Sequence, residues 1–203
     1  MNKLAKTQNQ RKIVLRHGIN DANYVVKPTV DGKVVICPFY ATWYNMLERC
    51  YSHALHNHFP TYIGCTVHSS WLSFMTFRRW MSKQDWDDKC LDKDIIIVGN
   101  KHYSPMTCVF VSHEVNTLLN TNDAIRGECP LGVRKHRNSF QAQIRIHGKT
   151  KYLGRFVTPE QASVADNIAK AEYIRTTALG QTDPRIISAL MRHAILYEDG
   201  MIK

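Results

Sequence analysis

The sequence predicts an α+β fold in two parts: a ββα unit carried on a platform of amphipathic helices, then a small three-stranded antiparallel sheet packed on one helix. Three observations predict it. Residues 84–120 run in the order acidic turn, apolar stretch, Gly-Asn turn, second apolar stretch, short helix. Residues 38–51 and 69–84 carry apolar side chains at helical spacing. Residues 139–146 alternate apolar and polar, and a turn, a second strand and an alanine-rich helix follow.

Size and charge bound the function. A chain of 203 residues, 44% hydrophobic and 10% aromatic, can bury one or two small cores, which excludes a wholly disordered protein. Lys and Arg number 27 against 17 acids, a net charge of +10, so a polyanion is the expected partner, with nucleic acid first and a membrane surface second. No window reaches the roughly 18 uninterrupted apolar residues of a spanning helix, and the polar start MNKLAKTQNQRK lacks the apolar core of a secretion signal. The expectation is a cytoplasmic protein with no membrane partner. Six cysteines stand no closer than thirteen residues apart with no CxxC pair, a pattern of reduced, buried thiols rather than a zinc site.

Taken in order, residues 1–16 hold Lys3, Lys6, Arg11, Lys12 and Arg16 without an acid, either a phosphate-attracted arm or a solubilising terminus. Tyr24 to Val26 and Lys33 to Ile36 flank Asp31-Gly32 as a hairpin. Phe39, Trp43, Met46, Leu47 and Cys50 make the stripe of a first helix. The stretch with His53, His56 and His58 reads as a loop, and Tyr62 to Val67 as a short strand. Ser69 or Ser70 caps a second helix whose stripe is Trp71, Phe74, Phe77 (or Met75) and Trp80 or Met81. At this spacing the aromatics are expected in the core, with base stacking as the alternative.

Five acids (Asp85, Asp87, Asp88, Asp92 and Asp94) gather inside a basic chain. A divalent cation is one reason for such a knot, because carboxylate oxygens are what Mg²⁺ or Mn²⁺ accepts. Asp85, Asp87 and Asp88 also read simply as a solvated turn. Leu91 to Asp94 end that turn, Ile95 to Val98 form the first apolar run, Gly99-Asn100 turns, a second strand lies near residues 107–111, and Asn116 sits on a short helix.

Residues 120–130 are polar and breaker-rich, as a linker would be. Beyond them Phe140, Ala142, Ile144 and Ile146 share one strand face while Gln141, Gln143 and Arg145 share the other. His147-Gly148 turns into Tyr152 to Phe156, and Thr158-Pro159 starts a helix on which Ala162, Ala165, Ile168 and Ala169, with or without Tyr173, can face the sheet. From Gly132 to Phe156 there are seven Lys and Arg and no acid. Such a sheet can enter a major groove, where Arg reads guanine, Gln reads adenine and Lys holds phosphate; a sheet that binds phosphate alone is the alternative.

Two resemblances follow. The LDKD…YSP…C run and the helix with Asn116 resemble the His-Asn-His nucleases, whose ββα-metal unit places Asp92 and Asn116 as ligands of Mg²⁺ or Mn²⁺. The W-x-x-M-L-x-R-C-Y stretch is similar to the phage homing endonucleases of that class, which would put the protein in a host cytoplasm. Lys93 stands where the family has its general-base histidine, and the family's loop asparagine falls near Tyr103-Ser104-Pro105. An unperturbed lysine is protonated at neutral pH, so Lys93 reads as a phosphate clamp, and the base as His102, His113, Asp94, or none. His102 is expected in the loop facing the metal edge. The second resemblance, from Gly-Val-Arg through Leu-Gly-x-Phe to the alanine-rich helix, is to the ethylene-response-factor type of DNA-binding domain. It implies contacts from Arg134, Gln141, Gln143, Arg145 and Arg155, with Lys135, Lys149 and Lys151 alongside.

The expected organisation is a basic arm and hairpin (1–36), a nuclease unit (37–127), a DNA-binding sheet and helix (128–178) and a C-terminal helix (179–203). The expected partner is double-stranded DNA and the favoured state a monomer. The rival function is a non-catalytic, sequence-specific DNA-binding regulator derived from such a nuclease.

Overall fold

The computed structural model describes residues 12–119 and 129–201. They form two compact units, the first ending at Phe110 and the second beginning at Val111. The short helix near Asn116 falls in the second unit. Most of the expected linker, 120–128, lies outside the described residues, as do Lys3, Lys6 and Arg11 of the expected arm.

In the first unit an antiparallel hairpin of β1 (Lys12–Val14) and β2 (Gly18–Asn20) lies partly within the stretch read as a basic arm. Gly18 is held there by close approach: a Cβ would lie 2.4 Å from Leu47 Cδ1 and 2.7 Å from the Trp43 ring. The second hairpin, β3 (Thr29–Val30) and β4 (Lys33–Val34), turns at Asp31-Gly32 as expected, both residues at positive φ. Its first arm does not begin at Tyr24. Pro28 has no N–H to give a ladder, so the strand starts after it, and only isolated bonds such as Cys37 N–H to Val26 O continue the pairing.

Helix α1 (Pro38–Tyr51) opens on a proline and buries Tyr40, Trp43, Met46, Leu47 and Cys50. Phe39 is only partly buried, against Trp86 at a centroid distance of 4.8 Å. The histidine stretch is a short helix, α2 (His53–His58), because Ser52 Oγ accepts from Leu55 N–H and caps it. Strand β5 is reduced to Thr66–Val67, since residues 60–62 close a 3-10 turn first. Residues 69–72 form another 3-10 turn, so the cap of α3 (Phe74–Met81) is Ser73 and neither Ser69 nor Ser70. Asp21 reinforces that cap: its Oδ2 accepts from Ser73 Oγ at 2.7 Å and its Oδ1 from Met75 N–H at 2.9 Å. Trp43, Trp71, Phe74 and Phe77 form the centre of the core, and the Trp43 indole N–H donates to Trp71 O at 2.7 Å.

Strand β6 (Cys90–Asp92) pairs with β8 (Val109–Val111), while β7 (His102–Tyr103) pairs in parallel with β5. The first strand of this region was expected at Ile95 to Val98. Those residues are a turn instead, with Ile97 and Val98 about half exposed.

The second unit opens with α4 (His113–Leu119). Its sheet has the order β11–β10–β9, all antiparallel, from β9 (Val133–His136), β10 (Ser139–Ile146) and β11 (Lys149–Phe156). A bulge interrupts β11 at Leu153: Ala142 faces Gly154, but Gln143 faces Tyr152. Helix α5 (Pro159–Leu179), capped by Thr158 Oγ1 on Gln161 N–H, packs on all three strands, and α6 (Pro184–Glu198) packs on α5. Helix α5 buries Ala162, Asp166, Ala171, Tyr173, Ile174 and Ala178; the expected Ala165 and Ala169 are half-buried, and the expected Ile168 stands on the solvent side at 57% exposure. Among the described residues no helix is long and apolar enough to cross a membrane.

Candidate functional site

Asp92 ends β6. Its Oδ1 accepts from the N–H groups of Asp94 at 2.9 Å and Ile95 at 2.7 Å, and this closed turn is what stops the strand before Ile95. Burial, and then the neighbouring Asp94, push the Asp92 carboxyl up to about 6, against the pull of those two amides and Lys93. A desolvated carboxylate beside a second acid is stabilised by a cation, and Asp92 Oδ2 makes no hydrogen bond among the described residues. The donor chemistry therefore fits one oxygen ligand for Mg²⁺ or Mn²⁺. Among the described residues no group of three or more His, Cys, Asp or Glu converges as a ligand set. A hard cation bound here would complete its shell from water and phosphate oxygens. Asp85, Asp87 and Asp88 are exposed, and Asp85 pairs with Lys89.

Lys93 is buried at 8% exposure, its Nζ donating to Asp94 Oδ2 at 2.8 Å and lying 5.9 Å from the centre of the Tyr103 ring. Burial works to lower its pKa, but Asp94, with Cys65 and Asp92, carries it above the ordinary value, so the ammonium stays charged. His102 lies in strand β7, not in a loop. Its register partner is Thr66, and its Nδ1 is 2.9 Å from Thr66 Oγ1. Alternation along β7 then puts the imidazole on the face opposite the buried Tyr103, away from the ring beneath the Lys93 ammonium.

Residues 103–105 hold no asparagine, and the side chain that closes the loop before them is Asn100. Its Nδ2 donates to Lys93 O at 2.7 Å and His102 O at 2.9 Å, and its Oδ1 accepts from His102 N–H at 3.1 Å, so one side chain staples both ends of the loop between β6 and β7. Ser104 is buried and bonds Thr107 Oγ1. The pair Gly99-Asn100 signals a turn by its local pattern; the signal for a staple is the asparagine itself, which brings two donors and an acceptor into a turn whose carbonyls need partners.

Asn116 is half-buried on α4, and His113 opens the same helix; both belong to the second unit. In that unit a cleft of about 610 Å³ is lined by Glu114, Leu118, Ile144, Asp166, Lys170 and Tyr173 among others.

Residues opposite one another in an antiparallel ladder share a face. Arg134, Gln141 and Arg155 therefore form one row across all three strands, followed by Gln143 with Tyr152, then Arg145 with Thr150. Arg134 Nε donates to Gln141 Oε1 at 3.0 Å, which explains a glutamine buried to 7% exposure on the outer face. Arg145 Nε is tethered to Gly148 O at 3.1 Å. Lys135, Lys149 and Lys151 stand opposite Phe140, Ile146 and Ile144 and so lie on the other face, the one that holds Ala142 against α5. Tyr152, 56% exposed beside Gln143, was missed because the bulge breaks the period of two that would have revealed it. Comparison with protein-family models, curated proteins and solved structures found no match for this chain.

Proposed function

We propose that the chain is a metal-dependent DNA endonuclease in which the three-stranded sheet reads double-stranded DNA and the Asp92 turn serves phosphodiester hydrolysis. The observation that carries DNA binding is the outer sheet face, with three exposed arginines, two glutamines and one exposed tyrosine in register and no acid between Gly132 and Phe156. The arginines there are suited to phosphates and to guanine edges, the less buried Gln143 to adenine, and the tyrosine to sugar or base contact, while Gln141 holds Arg134 in place.

The hydrolytic half rests on the resemblance to His-Asn-His nucleases and on the electrostatics of Asp92. A Mg²⁺ or Mn²⁺ ion bound there would neutralise phosphate charge and acidify water. Asp92 would hold it through Oδ2 while Oδ1 stays with the turn amides. Asn100 fixes the loop. Lys93, charged and paired, cannot take a proton; Asp94 Oδ1, free of hydrogen bonds among the described residues, is the group in the turn placed to accept one from water. Nicking of supercoiled plasmid with and without Mg²⁺ tests this reading. The second reading, a DNA-binding regulator without catalysis, is favoured by the same buried Lys93, and a wild-type chain that binds DNA but never nicks would establish it.

A further inference from the structure

Helix α4 has only seven residues, too few to hold helical form by themselves. Val115 and Leu118 are buried, but its second residue, Glu114, makes the specific contacts. Glu114 Oε1 accepts from Tyr173 Oη at 2.6 Å and stands 2.8 Å from His147 Nδ1. The Tyr173 hydroxyl accepts in turn from the His147 backbone N–H at 3.3 Å, and the two rings meet edge to face at 5.4 Å. One carboxylate oxygen therefore joins α4 to the turn between β10 and β11 and to the middle of α5.

The turn residue itself supports a dedicated contact. His147 and Gly148 have φ of 47° and 75°, the mirror-image two-residue turn that Asn-Gly fills with least strain. A histidine there accepts left-handed strain, and its imidazole is the group that meets Glu114. The turn also closes the hairpin that carries Arg145, Thr150 and Tyr152, whose side chains lie on the face assigned to DNA.

We propose that Glu114 is a positioning residue that latches α4, the helix carrying Asn116, to the hairpin turn of the DNA-reading sheet, so that the setting of α4 follows the sheet's engagement with duplex DNA. The functional half of this inference rests on the nuclease reading; the structural half does not.

The test uses the full chain with Glu114→Gln, which keeps the shape and removes the charge, Tyr173→Phe, and His147→Asn, which suits the turn and removes the imidazole. Amide hydrogen exchange should quicken in α4 at least fivefold in all three, while amides in the β10–β11 ladder keep their wild-type rates. Adding duplex DNA should slow α4 exchange at least fivefold in wild type and leave it unchanged in Glu114→Gln, with duplex affinity equal in the two, a split that a general loss of folding would not give. Unchanged α4 exchange in the three variants overturns the latch. Quickened exchange in the free variants, with duplex DNA slowing α4 equally in wild type and Glu114→Gln, overturns its positioning role. If the wild-type chain does not nick, the nuclease reading fails separately, and exchange on adding duplex DNA decides the latch: slowing of α4 in wild type but not in Glu114→Gln supports it, and equal slowing in both overturns it.

Discussion

The sheet register separates two sets of cations that composition alone treats as one, and the separation can be measured. Arg134, Arg145 and Arg155 share the outer face; Lys135, Lys149 and Lys151 stand on the other, yet all six are exposed. Each phosphate neutralised on duplex DNA contributes about −0.9 to the slope of log affinity against log salt. Replacing one outer arginine by alanine should reduce the slope by about 0.9, and replacing all three by about 2.7. Between about 50 and 200 mM salt, a fourfold change, that is a difference of about 3.5-fold in how much affinity is lost for a single variant and about 40-fold for the triple. The triple lysine variant should keep the wild-type slope. Fluorescence anisotropy of a labelled duplex titrated with NaCl reads both. A lysine triple that lowers the slope as much as the arginine triple, or an arginine triple with the wild-type slope, refutes the assignment of the DNA face.

Three further outcomes are expected. Asp92→Ala should abolish Mg²⁺-dependent nicking while duplex affinity by anisotropy stays within twofold, because the sheet rather than the turn supplies the affinity; wild-type nicking in this variant removes the metal site from Asp92. Burial raises the Asp166 carboxyl from 3.8 to about 6 against the pull of Lys170. Since the folded pKa lies above the unfolded one, Asp166 contributes stability that is fully present below pH about 4 and is lost as pH rises through about 6, up to about 3 kcal/mol at 1.36 kcal/mol per unit. Asp166→Asn should flatten that dependence in urea melts taken from pH 4 to 8, and an unchanged pH profile counts against it. Gly18→Ala places a methyl against Leu47 and Trp43 and should cost about 1–3 kcal/mol by thermal melting, the range for overpacking; a neutral result would mean that the β1–β2 hairpin does not pack there.

What was readable in the sequence was whatever repeats. The α1 stripe and the alternation of β10 each span several periods, so the pattern outweighs any single residue, and the Thr158-Pro159 start of α5 is legible because cap and first-turn proline are adjacent. Single side chains defeated it elsewhere. Asp92 ends a strand by accepting two backbone amides, and this moved β6 to the N-terminal side of the apolar run that seemed to be the strand. Ser52 makes a helix of a histidine-rich stretch, and Asp21 helps to fix where α3 begins from 54 residues away. Of the candidate site, Asp92 and Asp94 stand out through their acidic setting and Lys93 through its place in the resemblance, whereas Asn100 announces only a turn. The place of His102 depended on a parallel partner, Thr66, that no local pattern names.

The bulge at Leu153 makes β11 a strand with two possible phases. Tyr152 and Arg155 are three residues apart, an odd spacing that would put them on opposite faces of a regular strand, and they coincide only because one residue is looped out between them. Gly154 permits this: its φ of 145° is one that L side chains rarely adopt, and an added Cβ would lie 3.2 Å from the Phe156 ring. A side chain at that position would therefore favour a competing register in which the strand runs straight, Leu153 joins Arg155 on the outer face and Tyr152 turns under the helix. Such a chain would keep its charge while presenting a different outer face, so that one glycine selects between two sheets with the same sequence elsewhere.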